Sequence, residues 1–183
     1  MTGHIEGRLI AVVGPSGAGK DSVMAGLVSA RPGLRVVHRV ITRAADAGGE
    51  DFEPVNLVEF ERRAAAGDFL LDWPAHGLRY GIPATVQDDL AKGDVLANLS
   101  RGVLAQAQAL LPQVIVLSLT ARPDTLAARL GARGREDGAD MAARLARPAP
   151  DLPPGLTVLT IANDGPLAET VAAALAALYP GKS

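Results

Sequence analysis

The stretch Leu9-Ile10-Ala11-Val12-Val13-Gly14-Pro15-Ser16-Gly17-Ala18-Gly19-Lys20 decides the architecture. A short continuous apolar run that stops at glycine reads as a β-strand buried on both faces. The glycine-rich turn after it matches the Gly-x-x-x-x-Gly-Lys pattern of a phosphate-binding loop, in the strand-then-helix context the pattern requires. A helix is expected from Lys20, with Val23, Leu27 and Val28 on its apolar face and Arg31-Pro32-Gly33 ending it. In such a turn the glycines let successive backbone N–H groups face phosphate oxygens. The helix N-terminus adds partial positive charge, and Lys20 adds a full one. The stretch therefore predicts a nucleoside triphosphate site over Gly14, Pro15, Ser16, Gly17, Ala18, Gly19 and Lys20.

Outward from this loop, similar apolar runs recur at Val95–Leu99, Val114–Leu119 and Leu156–Ile161, each separated by a helical segment. That alternation predicts a three-layer α/β fold around a parallel sheet. The last helix is expected over Leu167–Leu178, with Asp164 near its cap and Pro166 in its first turn. A polar stretch at about residues 35–92 is too long for a simple crossover and predicts an inserted substrate-binding subregion. A second interruption, 122–154, is rich in Arg, Gly and Pro. No composition break separates domains, so residues 1–183 are expected to form one unit: a core of about 8–34, 93–121 and 155–180, a substrate-binding insertion of about 35–92, and the second interruption of about 122–154.

Composition agrees with this plan. The chain has 183 residues, 48% hydrophobic and 21% charged, which suits one domain with a substantial core. Aromatic residues make up only 3%, so the core is aliphatic. A net charge of −2 provides no general attraction to nucleic acid or anionic membrane, and neither partner is expected. The absence of cysteine excludes disulfide scaffolds, thiolate metal sites and cysteine nucleophiles. No apolar run is long enough for a membrane span or a signal-peptide core, so a cytoplasmic protein is expected.

The residue after Lys20 departs from the loop pattern. A Ser or Thr there normally presents its hydroxyl to Mg²⁺, but the chain has Asp21, followed by Ser22. Two readings stand. Asp21 favours the helix N-terminus electrostatically while Ser22 or water completes the metal shell, or the Asp21 carboxylate ligates Mg²⁺ directly or through water.

The loop, together with Thr42-Arg43, Trp73, Tyr80-Gly81, Arg129-Leu130, Arg133-Gly134, Arg144-Leu145 and Asn163-Asp164, resembles the guanylate-kinase-type nucleotide kinases over nearly the whole chain. Within that superfamily four stretches are more similar to the ribose 1,5-bisphosphate phosphokinases of phosphonate metabolism. They are Lys20-Asp21-Ser22, the run Val40 to Asp51, the block Trp73 to Pro83, and Asn98-Leu99-Ser100-Arg101. The resemblance implies a P-loop kinase that converts ribose 1,5-bisphosphate and ATP, with Mg²⁺, into 5-phosphoribosyl 1-diphosphate (PRPP) in phosphonate catabolism. Small-molecule substrates are the implied partners, with a homodimer left open.

The departures from guanylate kinase point the same way. Asp46 stands where that family has a second phosphate-binding arginine, and the acidic residue of its guanine clamp is shortened to Asp72. Asn98 and Ser100, on one face of a strand by the two-residue period, replace paired carboxylates. Arg43, Arg79 with Tyr80, Asn98, Ser100 and Arg101 are therefore the acceptor-side candidates, since guanidinium forks suit phosphate. The resemblance also implies a lid closing over ATP, with Arg129 on the nucleotide and Arg133 and Arg144 beside Lys20 as catalytic cations, and Arg135 close by. Asn163, at the C-terminal end of the last strand, is a candidate for adenine contact, and an Asn-Asp-Gly turn explains it equally well. His76 and Trp73 sit in the same block and fit structural roles. The rival readings are a guanylate or other nucleoside monophosphate kinase and a catalytically silent guanylate-kinase-like interaction module.

Overall fold

The computed structural model describes residues 6–47, 50–132 and 149–181. Its centre is a five-stranded parallel sheet of β1 (Leu9–Val13), β2 (Arg35–Val36), β7 (Val95–Asn98), β8 (Val114–Thr120) and β9 (Thr157–Ala162), in the order β2-β7-β1-β8-β9. Strand β1 pairs with β7 on one side and β8 on the other, and all five of its residues are buried. The alternation of a strand splits it between two cores. Ile10 and Val12 pack with α1 (Lys20–Ala30) and the last helix, α6 (Leu167–Leu178); Leu9, Ala11 and Val13 pack on the opposite face with α3 (Val86–Leu90), α4 (Leu104–Leu110) and the inserted region. This is the expected three-layer α/β fold, and the recurring apolar runs were its record in the sequence.

Helices α1 and α6 meet closely at Gly26. A Cβ there would lie 2.6 Å from Val171 Cγ2, so only glycine permits the approach.

The insertion carries its own four-stranded sheet of β3 (Val40–Ile41), β4 (Glu53–Pro54), β5 (Phe69–Ala75) and β6 (Leu78–Pro83), in the order β4-β3-β6-β5. Helix α2 (Leu57–Ala65), capped by Asn56 Oδ1 accepting from the Glu59 amide at 2.8 Å, covers one face of it through Phe60, which stacks on Phe69 at 4.7 Å. Three sequence expectations shift. Arg35–Val36, counted with the insertion, forms the edge of the central sheet by pairing with Val95 and Leu96. The second interruption opens with a regular helix, α5 (Pro123–Ala132), which buries Leu126 and Leu130. Asp164 does not cap α6; its Oδ1 accepts from the Arg122 amide at 2.7 Å, and Pro166 occupies the cap position.

At the N-terminal ends of the strands a polar network closes the sheet. Arg8 donates through Nε and Nη2 to Asp94 Oδ2 at 3.1 and 2.6 Å and through Nη1 to the Leu178 carbonyl at 3.1 Å; the Tyr179 hydroxyl donates to Asp94 Oδ2 at 2.8 Å. Burial is the largest single influence on Asp94 and opposes its charge, but the hydrogen bonds from Arg8 and Tyr179 together outweigh it and hold the carboxyl below its usual range. Because the folded chain lowers this pKa, the stabilisation is complete above about pH 4 and is lost as pH falls through the lowered value. Replacing Asp94 by Asn is expected to cost about 2 kcal/mol near neutral pH. The deficit should shrink as the medium is acidified. Urea denaturation of both proteins across this range checks it; a deficit independent of pH would contradict the assignment.

Candidate active site

The phosphate loop sits where the sequence puts it, between β1 and α1 at the C-terminal end of the sheet. The first backbone bond of α1 runs from the Val23 amide to the Gly19 carbonyl at 3.0 Å, so the amides of Lys20, Asp21 and Ser22 open from the helix N-terminus. Lys20 Nζ donates to the carbonyls of Gly14 and Pro15 at 2.8 and 3.3 Å, which holds the ammonium at the mouth of the loop. Gly19 has φ 87° in the left-handed region, and a Cβ there would meet Asn163 Nδ2 at 2.5 Å.

That contact shows what Asn163 does. The residue is 4% exposed; its Nδ2 donates to the Ala18 carbonyl at 2.8 Å, and its Oδ1 accepts from the Thr170 hydroxyl at 2.7 Å. Both ends of the amide are engaged in the protein, so Asn163 is placed behind the loop rather than against an adenine. Arg129 joins the same assembly. Its Nη1 donates to the Gly17 carbonyl at 3.0 Å and its Nη2 to the Asn163 carbonyl at 2.6 Å. Arg133, Arg135 and Arg144 lie outside the described residues.

In front of the loop is a cavity of about 510 Å³, lined by Gly14, Ser16 and Lys20 from the loop, Asn98, Ser100 and Arg101 from the end of β7 and the turn after it, and Arg39, Trp73, His76 and Tyr80 from the second sheet. Among the described residues its lining contains three permanent cations, Lys20, Arg39 and Arg101, and no carboxylate. Tyr80 and Trp73 are cross-strand partners stacked at 5.5 Å and 12°. His76, with φ 52°, and Gly77, with φ 73°, form the two-residue turn between β5 and β6; positive φ at both positions is what a tight hairpin needs. Ser100 begins the turn after β7, and Arg101 donates to the Pro150 carbonyl at 3.4 Å and the Ser118 hydroxyl at 3.5 Å.

The structure separates the acceptor candidates. Tyr80, Asn98, Ser100 and Arg101 converge on the cavity, whereas Arg79 and Arg43 are not among its lining residues. Adjacent residues of a strand face opposite sides of a sheet. Tyr80 therefore faces the cavity, while Arg79 turns to the α2 side, pairing with Asp72 at 2.8 Å and lying 5.1 Å from the Phe60 ring centroid. Asp72 is likewise drawn away from the cavity. The Arg43 guanidinium lies 4.3 Å from the Phe52 ring centroid. The residue that sequence reasoning missed is Arg39, 8% exposed and part of the lining. Its only sequence signal is a cation immediately before a strand.

Asp21 and Ser22 are both exposed on the first turn of α1. Ser22 is about 200° around the helix from Lys20, which makes it the weaker of the two as a metal ligand. Among the described residues no group of three or more acidic or histidine side chains could hold a metal by itself. That fits Mg²⁺ nonetheless, because this ion commonly takes one or two carboxylates and completes its shell with phosphate oxygens and water.

No family model matches the chain. It is 52% identical over 178 residues to the ribose 1,5-bisphosphate phosphokinase PhnN of Ruegeria sp. (strain TM1040), covering 96% of this chain and 93% of that protein. The chain belongs to this family. The same-named protein of Pantoea vagans (strain C9-1) is also 52% identical, over 90% of this chain and 93% of its own length. A bifunctional ribose 1,5-bisphosphokinase-thymidine phosphorylase of Cupriavidus necator is 45% identical over 96% of this chain but only 30% of that longer protein. Among solved structures, a guanylate kinase from Anaplasma phagocytophilum superposes with a TM-score of 0.67 at 18% identity, over 97% of this chain and 87% of that one. This likeness establishes the P-loop kinase fold.

Two substitutions test the assembly behind the loop. Replacing Asn163 by Ala strips partners from the buried Ala18 carbonyl and Thr170 hydroxyl and is expected to cost about 2 kcal/mol. Replacing Gly19 by Ala forces a left-handed alanine against Asn163 and is expected to cost at least about 1 kcal/mol. Both should weaken ATP binding. Thermal denaturation and ATP titration provide the readouts; unchanged affinity in both variants would mean that the loop holds its shape without these contacts.

Proposed function

We propose that the protein transfers the γ-phosphoryl group of ATP to ribose 1,5-bisphosphate, producing PRPP and ADP; its relatives are named ribose 1,5-bisphosphate phosphokinases. The observation that carries this reading is the charge of the cavity: its described lining residues include three permanent cations, of which Arg39 is paired with Glu50, and no carboxylate. Such a site attracts a multiply charged acceptor. Guanine recognition would be served by acidic acceptors, and Asp72 is held by Arg79 away from the cavity, while Asn98 and Ser100 are uncharged.

The chemistry asks little of a general base. A phosphate monoester has its second pKa near about 6, so the C1 phosphate of the acceptor is largely dianionic at neutral pH. One of its oxygens attacks the γ-phosphorus, the new P–O bond forms, and the bond from that phosphorus to the β–γ bridging oxygen breaks to release ADP. The protein's task is to bring two anions together and to stabilise the charge that builds on the transferring group. Loop amides and Lys20 hold the triphosphate, while Arg101 and Tyr80, with Asn98 and Ser100, orient the acceptor beside it. Asp21 would hold Mg²⁺, which would supply charge neutralisation on the donor phosphates. His76 needs no proton-transfer role here and serves the hairpin turn.

Incubation with ATP, Mg²⁺ and either ribose 1,5-bisphosphate or GMP tests the assignment directly. PRPP is expected from the first, with GMP phosphorylated at least about 100-fold more slowly. Rapid conversion of GMP with no PRPP would replace this reading by a nucleotide kinase. Exchanging Lys20 for Ala should lower kcat by about 100- to 1,000-fold, as loss of a transition-state donor does. Steady-state kinetics would show it.

A further inference from the structure

The described cations of the cavity fall into two groups. Lys20 and Arg101 follow β1 and β7, which are neighbours in the central sheet with Val12 opposite Asn98. Both therefore stand at the phosphate loop. Arg39 stands on the other wall, immediately before β3 of the second sheet, with its backbone carbonyl accepting from the Glu53 amide at 2.9 Å.

Arg39 is held as a phosphate fork is held. Its Nε donates to Glu50 Oε2 at 2.9 Å and its Nη2 to Glu50 Oε1, a two-point pairing that fixes the guanidinium plane. The Tyr80 ring, 4.8 Å from the guanidinium carbon, backs that plane, and Trp73 stacks on Tyr80 in turn. Arg39 lines the cavity and Glu50 does not. A guanidinium has five N–H donors, and Glu50 takes one from Nε and one from Nη2. Among the described residues no hydrogen bond uses either hydrogen of Nη1 or the second hydrogen of Nη2, which leaves them for a ligand. Burying an arginine this deeply is costly, and among the described residues Glu50 offsets the charge without using the whole fork.

We infer that Arg39 grips the phosphate of the acceptor farther from the transferring phosphorus, the C5 phosphate of the sugar, and that Glu50 and Tyr80 hold its fork in position. This rests on the bisphosphate reading above and deepens it. A bisphosphate spans the cavity, with its attacking phosphate at Lys20 and Arg101 and its distal phosphate at Arg39. Arg39 is then what separates ribose 1,5-bisphosphate from an acceptor with one phosphate.

The test compares Arg39→Ala with the parent enzyme on ribose 1,5-bisphosphate and on ribose 1-phosphate, which lacks the distal group. For the bisphosphate, kcat/KM should fall about 100-fold. For ribose 1-phosphate, already slow, it should change by less than about threefold, and the KM for ATP should hold. Arg39→Lys should recover part of the loss. Equal losses on the two acceptors, or no loss on the bisphosphate, would overturn the assignment. The pair Arg39→Met with Glu50→Gln removes both charges together and serves if the single variant misfolds. Calorimetric titration with ribose 5-phosphate separates this inference from the substrate reading. Binding by the parent that is lost in the variant supports Arg39 even if PRPP is never formed, and equal or absent binding in both removes it.

Discussion

A loop can present its amides to a chain of phosphates only if its carbonyl groups are held elsewhere, because each peptide unit carries both. Here that constraint is met from outside. The Gly17 carbonyl is taken by Arg129 and the Ala18 carbonyl by Asn163, while Asn163 is itself tied to Thr170 on α6 and to Arg129. Three elements far apart in sequence thereby brace one turn. Lys20 adds a bond to the Gly14 carbonyl from within. The shape of the triphosphate cradle is thus a property of the packed core, and glycine is required at position 19 because the brace leaves no room for a Cβ.

The second constraint is the pleat of the inserted sheet. Tyr80 and Trp73 face the cavity, and the alternation sends Arg79 and Asp72 to the far side, where they pair with each other under α2. Acidic charge is thereby removed from the cavity without being removed from the strand. The described cavity is left with cations, aromatic faces and neutral hydrogen-bonding groups, a set suited to a small, highly charged ligand.

How much of this was legible in the sequence follows from the range of the interactions involved. Strand β1, the loop and α1 depend on neighbouring residues, so the apolar run, the glycines and Lys20 identify them. Helix α6 falls on Leu167–Leu178 as expected because its apolar periodicity is local too. Arg39 has no such signature. One of 18 basic residues, it gains its meaning from Glu50 and from Tyr80 on β6, the strand that pairs with the β3 that follows it. Asn163 was noticed for its position after the last strand, but its partners are residues distant in sequence, and only the fold shows that they occupy both ends of its amide. Arg79 was misplaced for the opposite reason: its neighbour Tyr80 carries the signal, and adjacency in sequence means opposition across a sheet. Arg133 and Arg144 lie outside the described residues.

The network at the other rim of the sheet bears on how the chain reaches this state. Arg8 and Asp94 are 86 positions apart, and the bond from Arg8 to the Leu178 carbonyl spans 170. During synthesis the first strand must wait for Leu178, 170 positions later, before its rim is complete, and until then the Ile10, Val12 and Leu27 face lacks α6 as its cover. A nascent chain stalled before Asn163 would carry the glycine loop without the Thr170 and Asn163 brace and would display an oily flank to its surroundings. Helix α6 and the turn after it are therefore the latch that closes the first strand.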